Sequence, residues 1–313
     1  MRNAYISALY DLAEKNPNVL ALVADNGAIV YDKFRSDFPE QFVNFGIAEA
    51  NMVTVAAGLA SCGKIPFAYT IAGFLTMRAY EQVRNDVCLQ RQNVKLVGVG
   101  AGVSYGTLGP THHATEDIAI MRVLPYITII APASPKEAYE ATIAASKING
   151  PTYIRLETTK EPEIYDDTYR FTLGRGVQLI DGNDLTVLAT GSIVYDAMLI
   201  VRELQKQGVK ARLINIHTLK PLDNDIISNA AAETGAILTV EEHSIIGGLG
   251  SAVEEVLIKD FKNSVVVDKI GFNDSFCKGY GSHQEVKAMN GLSREEIRSR
   301  ILALLEKKQK GLR

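Results

Sequence analysis

Cysteine, proline and net charge are all scarce in this sequence of 313 residues. It contains 3 cysteines and 10 prolines, and 33 Lys and Arg residues stand against 36 Asp and Glu residues, a formal net charge of −3. The cysteines, Cys62, Cys88 and Cys277, are too few for a disulfide framework and too widely spaced for a paired metal clip, which favours a reducing compartment. Without a basic excess, no electrostatic field drives sequence-independent binding to phosphates. We therefore expect no nucleic-acid partner.

Long apolar runs are missing as well. No uncharged apolar stretch reaches the ~18 residues that a membrane-spanning helix needs, so no membrane association is predicted. The N-terminal segment MRNAYISALYDLAEKN has an amphipathic helical pattern, without the basic start and continuous apolar stretch of a signal peptide. We expect a cytoplasmic protein.

What is present is the pattern of a folded α/β chain. The composition is 47% apolar and 22% charged, and at about 150 residues a domain the length predicts two domains. Apolar runs of strand length alternate with segments of helical period, which is typical of parallel sheets covered by helices on both faces. The polar stretch TTKEPEIYDDTYRFT (158–172) interrupts this alternation. We predict two doubly wound α/β domains, 1–165 and 181–313, joined by a linker at 166–180.

The apolar pattern also predicts individual elements. Strands are predicted at 19–24, 65–70, 94–100, 128–131, 152–156, 185–189, 210–216, 235–240 and 264–270. Helices are predicted at 3–15, 48–62, 76–90, 135–147, 195–208, 223–234, 249–260 and 292–308.

Several patterns that suggest a site do not meet the requirements of one. GVGAGV (98–103) has Val103 where the third glycine of a GxGxxG loop is needed. His112 and His113 are adjacent and cannot share one helix face, so no metal site is predicted. The sequence Glu-Glu-His at 241–243 is explained by packing or a domain interface as well as by catalysis, and we leave it outside the predicted active site.

Three segments of the first half remain as candidates for chemistry: FGIAEANM (45–52), FAYTIAGFLTMRAYEQVRND (67–86) and GVSYGTLGPTHHATEDIAIMR (102–122). Glu49 begins a helix whose next two turns are almost uncharged. Its carboxylate could stabilise the helix end, which is worth ~0.3–1 kcal/mol. Alternatively, it could be held in an apolar site with a raised pKa. Spacing alone favours the helix-end interpretation.

These segments closely resemble the pyrimidine-binding domain of transketolases and their thiamine-diphosphate relatives. INIHTLKPLD (214–223) and VEEHSIIGGLGSAVEEV (240–256) resemble the transketolase C-terminal domain. The resemblance covers essentially the whole chain, and its order is that of the C-terminal half of a split transketolase. It implies an enzyme that transfers a two-carbon ketol group from a ketose to an aldose.

The resemblance also implies cofactor-binding residues. In the family, the glutamate of GIAE lies against N1′ of the thiamine diphosphate aminopyrimidine, and Glu49 would take this place and assist proton removal from the cofactor. Phe74 is expected to stack on the aminopyrimidine, with Phe67 and Tyr69 as alternatives. The remaining predicted cofactor-binding residues are Asp25 and Arg78, and a structural role at a subunit contact stays open for Arg78.

Substrate contacts follow from the same resemblance. His112 matches the histidine of GPTH, which reaches the sugar hydroxyls in the family, and a neutral imidazole there could exchange protons with the acceptor carbonyl. A buried core histidine is the alternative. His113, Arg2 and Arg155 complete the predicted substrate-binding set, and a structural ion pair is an alternative for Arg155.

The family's cofactor also needs a diphosphate-binding domain with a GDG motif and a later asparagine that holds Mg²⁺, and neither pattern occurs here. The resemblance therefore implies that a second chain, an N-terminal transketolase subunit, holds the diphosphate and Mg²⁺. We expect a heterotetramer of two chain types.

Three substrate-facing positions depart from the family pattern. Gly100, Leu108 and Thr158 stand where a histidine, an aspartate and an arginine are expected. Because a hydrogen bond to a charged group is worth ~1.5–3 kcal/mol, these changes predict an unusual ketose, either deoxy or carrying a different anionic group. The alternatives are a β-subunit of a 2-oxo acid dehydrogenase and a non-catalytic scaffold subunit.

Overall fold

The computed structural model describes residues 1–27, 29–158, 160–260 and 265–311. The strands are β1 (Val19–Val23), β2 (Phe42–Asn44), β3 (Ile65–Ile71), β4 (Lys95–Val99), β5 (Thr128–Ile130), β6 (Thr152–Leu156), β7 (Val177–Ile180), β8 (Leu185–Thr190), β9 (Ala211–Asn215), β10 (Thr218–Lys220), β11 (Ala236–Ser244) and β12 (Val266–Phe272). The α-helices are α1 (Arg2–Lys15), α2 (Asp32–Asp37), α3 (Glu49–Ser61), α4 (Tyr80–Gln82), α5 (Asp117–Arg122), α6 (Pro135–Ser146), α7 (Ile193–Lys206), α8 (Asn224–Thr234), α9 (Leu249–Asp260), α10 (His283–Met289) and α11 (Arg294–Gln309). Within this described part of the chain, no helix combines the length and apolarity that crossing a bilayer requires.

Two mostly parallel sheets organise the chain. The first has the strand order β10-β5-β6-β4-β3-β1-β2, and all its pairs are parallel except β10 with β5. The second has the order β12-β11-β8-β9-β7, with β7 antiparallel to β9. Every residue of β1, β4, β6 and β8 is buried, as expected for strands covered by helices on both faces. The predicted α/β class with two doubly wound sheets is confirmed.

Two strands do not follow the predicted division of the chain into two domains and a linker. β7 falls at the end of the predicted linker, and none of its four residues is fully buried. β10 follows β9 of the second sheet yet pairs with β5 of the first sheet. The division into 1–165 and 181–313 therefore stays a prediction, and at β10 the chain crosses it.

The segment predicted as one helix at 76–90 is instead broken. Phe74–Arg78 and Val83–Cys88 form π-helical turns on either side of α4. A π-helical turn holds one more residue than an α-helical turn and is frequent at functional sites. The start of the strand predicted at 264–270 lies outside the described residues, and the strand predicted at 235–240 runs on to Ser244, so that 241–243 are strand residues.

The cores join the two sheets. One buried cluster draws Met52 and Val83 from the first half together with Ile214 and Leu249 from the second. A second cluster covers the opposite face of the first sheet and is rich in aromatic rings: Tyr5, Tyr31, Phe34, Phe67 and Tyr69. A third packs α7 and α11 against the second sheet. The shared cluster packs one face of the first sheet against the second half of the chain.

Candidate active site

The candidate site lies at the carboxyl edge of the first sheet. Asp25 follows β1, Glu49 begins the helix after β2, Phe74 follows β3 and Gly100 follows β4. Because these four strands are parallel, their carboxyl ends meet at one edge, where ligands bind in open α/β sheets. Residues separated by up to 75 positions are thereby brought together.

Glu49 is a buried carboxylate with one ionic partner. It is the first residue of α3, is 2% exposed, and accepts a hydrogen bond of 2.8 Å at Oε2 from Nη1 of Arg78. No side-chain capping hydrogen bond forms at this helix start. Within the described residues Oε1 accepts no hydrogen bond, so one carboxylate oxygen remains available to a ligand. This geometry leaves one oxygen for a ligand and keeps the carboxylate in the first turn of α3, where it also faces the helix dipole.

Phe74 and Arg78 lie together beside this carboxylate. The guanidinium carbon of Arg78 is 4.2 Å from the Phe74 ring centroid, and the Phe74 ring is 5.2 Å from that of His112. The π-helical turn Phe74–Arg78 places both side chains on one side of the chain. The alternatives Phe67 and Tyr69 are buried in the aromatic core on the other face of the sheet. Of the three predicted aromatics, Phe74 is the one at the cleft.

The two histidines have different surroundings. His112 is half-buried, and its Nδ1 lies 3.0 Å from Oγ1 of Thr111. His113 is buried and lines a cavity of about 570 Å³ with Phe74 and Arg78. Neither ring nitrogen of His113 has a hydrogen-bond partner in the described part of the chain. Burial lowers the pKa of His113, against the opposing effect of Glu242, so the neutral imidazole is favoured.

Arg2 and Asp25 lie farther along the same edge. Arg2 begins α1, and its Nε is buried without a partner among the described residues. Asp25 is exposed in the left-handed region, with φ of 47°. Its backbone N–H donates to Oδ1 of Asn44 at 3.1 Å, and its carboxylate accepts from Nδ2 of Asn44 at 3.4 Å. Asp25 is thus at the rim of the cleft and turned towards β2.

Arg155, predicted to contact the substrate, lies in a buried hydrogen-bond network. Its Nε donates to Oδ2 of Asp117 at 2.8 Å, its Nη2 donates to the carbonyl oxygens of Ala114 and Glu242, and it is 3% exposed. Tyr153, on the same face of β6, also donates to Asp117, at 2.7 Å. Arg155 therefore forms the structural ion pair that the sequence left as its alternative, and it does not line the cleft.

The three positions that depart from the family pattern lie in different parts of the structure. Gly100 lies at the cleft, Leu108 is 49% exposed, and Thr158 lines another cavity together with Ser192 and His283. Two further polar side chains at this edge were not predicted: Tyr105, whose ring lies against Gly100, and Asn26, whose amide lies beside Tyr105. Asn26 lies in an Asp-Asn-Gly turn directly after an apolar strand, a turn signal that could have marked it.

A buried acidic pair lies where the two sheets meet. Nε2 of His283 is 2.8 Å from both carboxylate oxygens of Glu242, and Glu242 also accepts from the N–H of Val103 at 2.7 Å. Glu157 accepts hydrogen bonds from the backbone N–H and hydroxyl of Ser192. Burial, and next the Glu242 carboxylate, raise the pKa of Glu157 to about 7. Burial opposes charge on Glu242, but the facing His283 lowers its pKa.

Replacing Glu157 with Gln is expected to change how stability depends on pH. A carboxyl group whose pKa is higher in the folded than in the unfolded protein makes stability fall as pH rises, here from about 4.5 through about 7. His283, whose pKa the Glu242 carboxylate raises against the effect of burial, acts in the same direction. We expect the loss in unfolding temperature between about pH 5 and pH 8 to be about 2–5 °C smaller in Glu157→Gln than in the wild type.

Thermal unfolding followed by circular dichroism at several pH values measures this difference. Glu40→Gln, which changes an exposed carboxyl group, is the control and should follow the wild type. Parallel curves for Glu157→Gln and the wild type would refute the assignment of a raised pKa to Glu157.

Two family profiles cover nearly all of the chain. The profile described as transketolase, pyrimidine binding domain, matches residues 1–162, and that described as transketolase, C-terminal domain, matches residues 174–297. A subunit of the apulose-4-phosphate transketolase of Phocaeicola vulgatus is 37% identical, over 98% of this chain and 97% of its own length. The SqwH subunit of the 6-deoxy-6-sulfo-D-fructose transketolase of Clostridium sp. is also 37% identical, over 95% of this chain and 92% of its own length.

Solved structures are similar along the whole chain. A protein described as a split gene transketolase, in an inactive β4 tetramer, is 40% identical with a TM-score of 0.90, and the match covers 97% of this chain and 98% of that one. Transketolase from Campylobacter jejuni has the same fold at 21% identity and a TM-score of 0.80, over 96% of this chain but 46% of its own. The chain therefore belongs to the transketolase family, as the subunit of a split transketolase that carries the pyrimidine-binding and C-terminal domains.

Proposed function

We propose that this chain contributes one side of a thiamine diphosphate site and that a second chain contributes the other. The partner is an N-terminal transketolase subunit that binds the diphosphate and Mg²⁺, and two copies of each chain form a heterotetramer. The assembled enzyme transfers a two-carbon ketol group from an anionic, unusual ketose to an aldose. The observation that carries this proposal is the buried Glu49 carboxylate beside Phe74 and Arg78.

The cleft residues fit the aminopyrimidine part of the cofactor. Glu49 offers a buried carboxylate oxygen without a partner in the described chain, which suits a ring nitrogen that carries or needs a proton. Phe74 offers a half-buried ring face, and aromatic rings stack favourably at offset geometry. When bound, thiamine diphosphate supplies the carbanion chemistry that takes up and releases the two-carbon unit.

The chain's own residues take distinct roles in this proposal. Glu49 holds a proton at its free oxygen, and the Arg78 guanidinium keeps the carboxylate oriented at 2.8 Å. Phe74 orients the aminopyrimidine ring. His112, whose ring contacts that of Phe74, exchanges a proton with the substrate oxygen. Arg2 binds the anionic end of the sugar.

The sequence and the relatives both support a cofactor site that is divided between two chains. The GDG motif that holds the diphosphate in the family does not occur in the 313 residues. The solved relative at 40% identity is described as an inactive β4 tetramer. We therefore propose that this chain alone is inactive, and that its complex with the GDG-bearing chain is the enzyme.

The substrate class is supported by the same relatives. Their names give a phosphorylated sugar, apulose 4-phosphate, and a sulfonated one, 6-deoxy-6-sulfo-D-fructose. Both are anionic and neither is an ordinary sugar phosphate of the family, as the departures at Gly100 and Leu108 predict for this chain. The names also favour a transketolase over a 2-oxo acid dehydrogenase subunit.

The test is ketol transfer from hydroxypyruvate to glyceraldehyde 3-phosphate with thiamine diphosphate and Mg²⁺. We expect transfer by the purified complex of this chain with the GDG-bearing subunit. Complexes that assemble but transfer no ketol group would refute the proposed function.

Replacing Phe74 with Leu is expected to weaken cofactor binding about two- to tenfold, because an aromatic pair contributes roughly 0.5–1.5 kcal/mol beyond its buried area. The measurement is the thiamine diphosphate concentration that gives half-maximal activity of the complex. Leu89→Ala, which changes an exposed side chain, is the control. An unchanged half-saturation point for Phe74→Leu would contradict the stacking role.

A further inference from the structure

The ring of Tyr105 lies directly on the backbone at the carboxyl end of β4. Gly100 has φ of +76°, and a Cβ added there would lie 2.0 Å from the ring of Tyr105. No side chain larger than hydrogen fits at Gly100 unless this ring moves. Tyr105 therefore forms the wall of the cleft at the position where a side chain from residue 100 would otherwise extend.

Unused hydrogen-bond donors lie next to this wall. Nδ2 of Asn26 and Nε of Arg2 are both buried, and neither has a hydrogen-bond partner among residues 1–27, 29–158, 160–260 and 265–311. The left-handed residues Asp25 and Gly27 hold Asn26 in its turn, with φ of 47° and 77°. A buried donor without an acceptor carries a desolvation cost, so a ligand oxygen at this place would relieve it.

The electrostatics of this wall favour an anion. Burial raises the pKa of Tyr105, and the neighbouring Asn26 amide and then the Arg2 charge act against that rise. Burial also raises the pKa of Tyr69, and the Arg2 charge again acts against that rise. The carboxylate of Asp25, the nearest acid in sequence, is turned towards Asn44. The Asn26 amide, and after it the Arg2 charge, thus both favour negative charge at the Tyr105 hydroxyl.

Tyr105 also lies next to the reaction centre, and it is close enough to Arg2 for the Arg2 charge to act on its pKa. The Phe74 and His112 ring centroids are 5.2 Å apart, and those of His112 and Tyr105 are 6.5 Å apart. A sugar whose reacting carbon lies near Phe74 and His112 can thus extend past Tyr105 towards Asn26 and Arg2.

We propose that Asn26 and Tyr105 determine the substrate specificity of this site. With Arg2 they form a pocket for a tetrahedral oxyanion, phosphate or sulfonate, at the far end of the sugar. Asn26 donates to the oxyanion through Nδ2, and Tyr105 donates through its hydroxyl while its ring closes the wall above Gly100. The inference rests on the proposed function, since it concerns the substrate of the same site.

Its test compares three acceptors of one carbon skeleton, with hydroxypyruvate as the common donor, in the two-chain complex. The acceptors are glyceraldehyde 3-phosphate, 2-hydroxy-3-sulfopropanal and uncharged glyceraldehyde. Asn26→Asp keeps the shape of the side chain but adds a negative charge. We expect its kcat/KM for the preferred anionic acceptor to fall about 100-fold or more, chiefly through KM, while that for glyceraldehyde stays within about twofold.

Tyr105→Phe removes only the hydroxyl and is expected to lower the same preference about three- to tenfold. Tyr126→Phe removes a hydroxyl from a residue that precedes β5, at the opposite edge of the sheet, and should leave the preference unchanged. The wild type will prefer either the phosphorylated or the sulfonated acceptor, and the variants should lose that preference. The preferred acceptor then shows whether the pocket binds phosphate or sulfonate.

Equal losses for charged and uncharged acceptors in Asn26→Asp and Tyr105→Phe would overturn the inference, as would no change in either variant. Failure of the proposed function has a different signature, because the wild-type complex would then transfer no ketol group from hydroxypyruvate to any of the three acceptors.

Discussion

Replacing Glu49 with Gln is expected to lower ketol transfer by the two-chain enzyme about 10²- to 10⁴-fold, the range typical of a positioned proton-transfer group. The side chain keeps its size and can still accept a hydrogen bond from Arg78, so assembly with the partner should be preserved. What is lost is the ability of a 2%-exposed side chain to carry charge and hold a proton. The measurement is kcat with hydroxypyruvate as donor, together with the molar mass of the complex.

The matched control is Glu255→Gln, which removes a carboxylate that is 67% exposed and pairs with Arg122 at the surface. We expect this variant to retain wild-type turnover. Equal turnover of Glu49→Gln and the wild type would contradict the catalytic role and favour the scaffold alternative that the sequence left open.

Replacing Arg155 with Met is expected to destabilise the protein by about 3–5 kcal/mol, because it leaves Asp117 buried without its cation. Asp117 is 0% exposed and would keep only the Tyr153 hydroxyl as a side-chain donor within the described chain. Urea-induced unfolding measures the loss. At temperatures where the variant is folded, KM for the sugar should equal that of the wild type, since Arg155 does not line the cleft.

Two further variants separate the buried charge from a general effect of removing arginine. Arg155→Met combined with Asp117→Asn removes both charges and should recover much of the lost stability. Arg35→Met removes an exposed arginine paired with Asp32 and should cost at most about 1 kcal/mol. A raised KM with little change in stability for Arg155→Met would reinstate the substrate role predicted from sequence.

The parts of the molecule that follow from local patterns were predictable. Buried parallel strands are continuous apolar runs, so β1, β4, β6 and β8 could be located within a few residues from sequence. The carboxyl edge of such a sheet collects the residues after each strand, and this rule, together with the family resemblance, brought Glu49, Phe74 and His112 into one site.

The parts that depend on contacts distant in sequence were not predictable. Nothing in the three residues of β10 specifies that they leave the second sheet to pair with β5. The Glu242 carboxylate meets His283 and the N–H of Val103 across 41 and 139 positions. The ion pair of Arg155 is formed with Asp117, 38 positions away, and nothing in the local sequence of either residue joins them.

The central claim is that one transketolase site is built from two chains, and a titration tests it most directly. A fixed amount of the GDG-bearing subunit is mixed with increasing amounts of this chain at saturating thiamine diphosphate and Mg²⁺, and transfer from hydroxypyruvate is measured. We expect no transfer by either chain alone, a linear rise up to equal molar amounts, and a plateau beyond. Transfer by this chain in the absence of its partner would contradict the account.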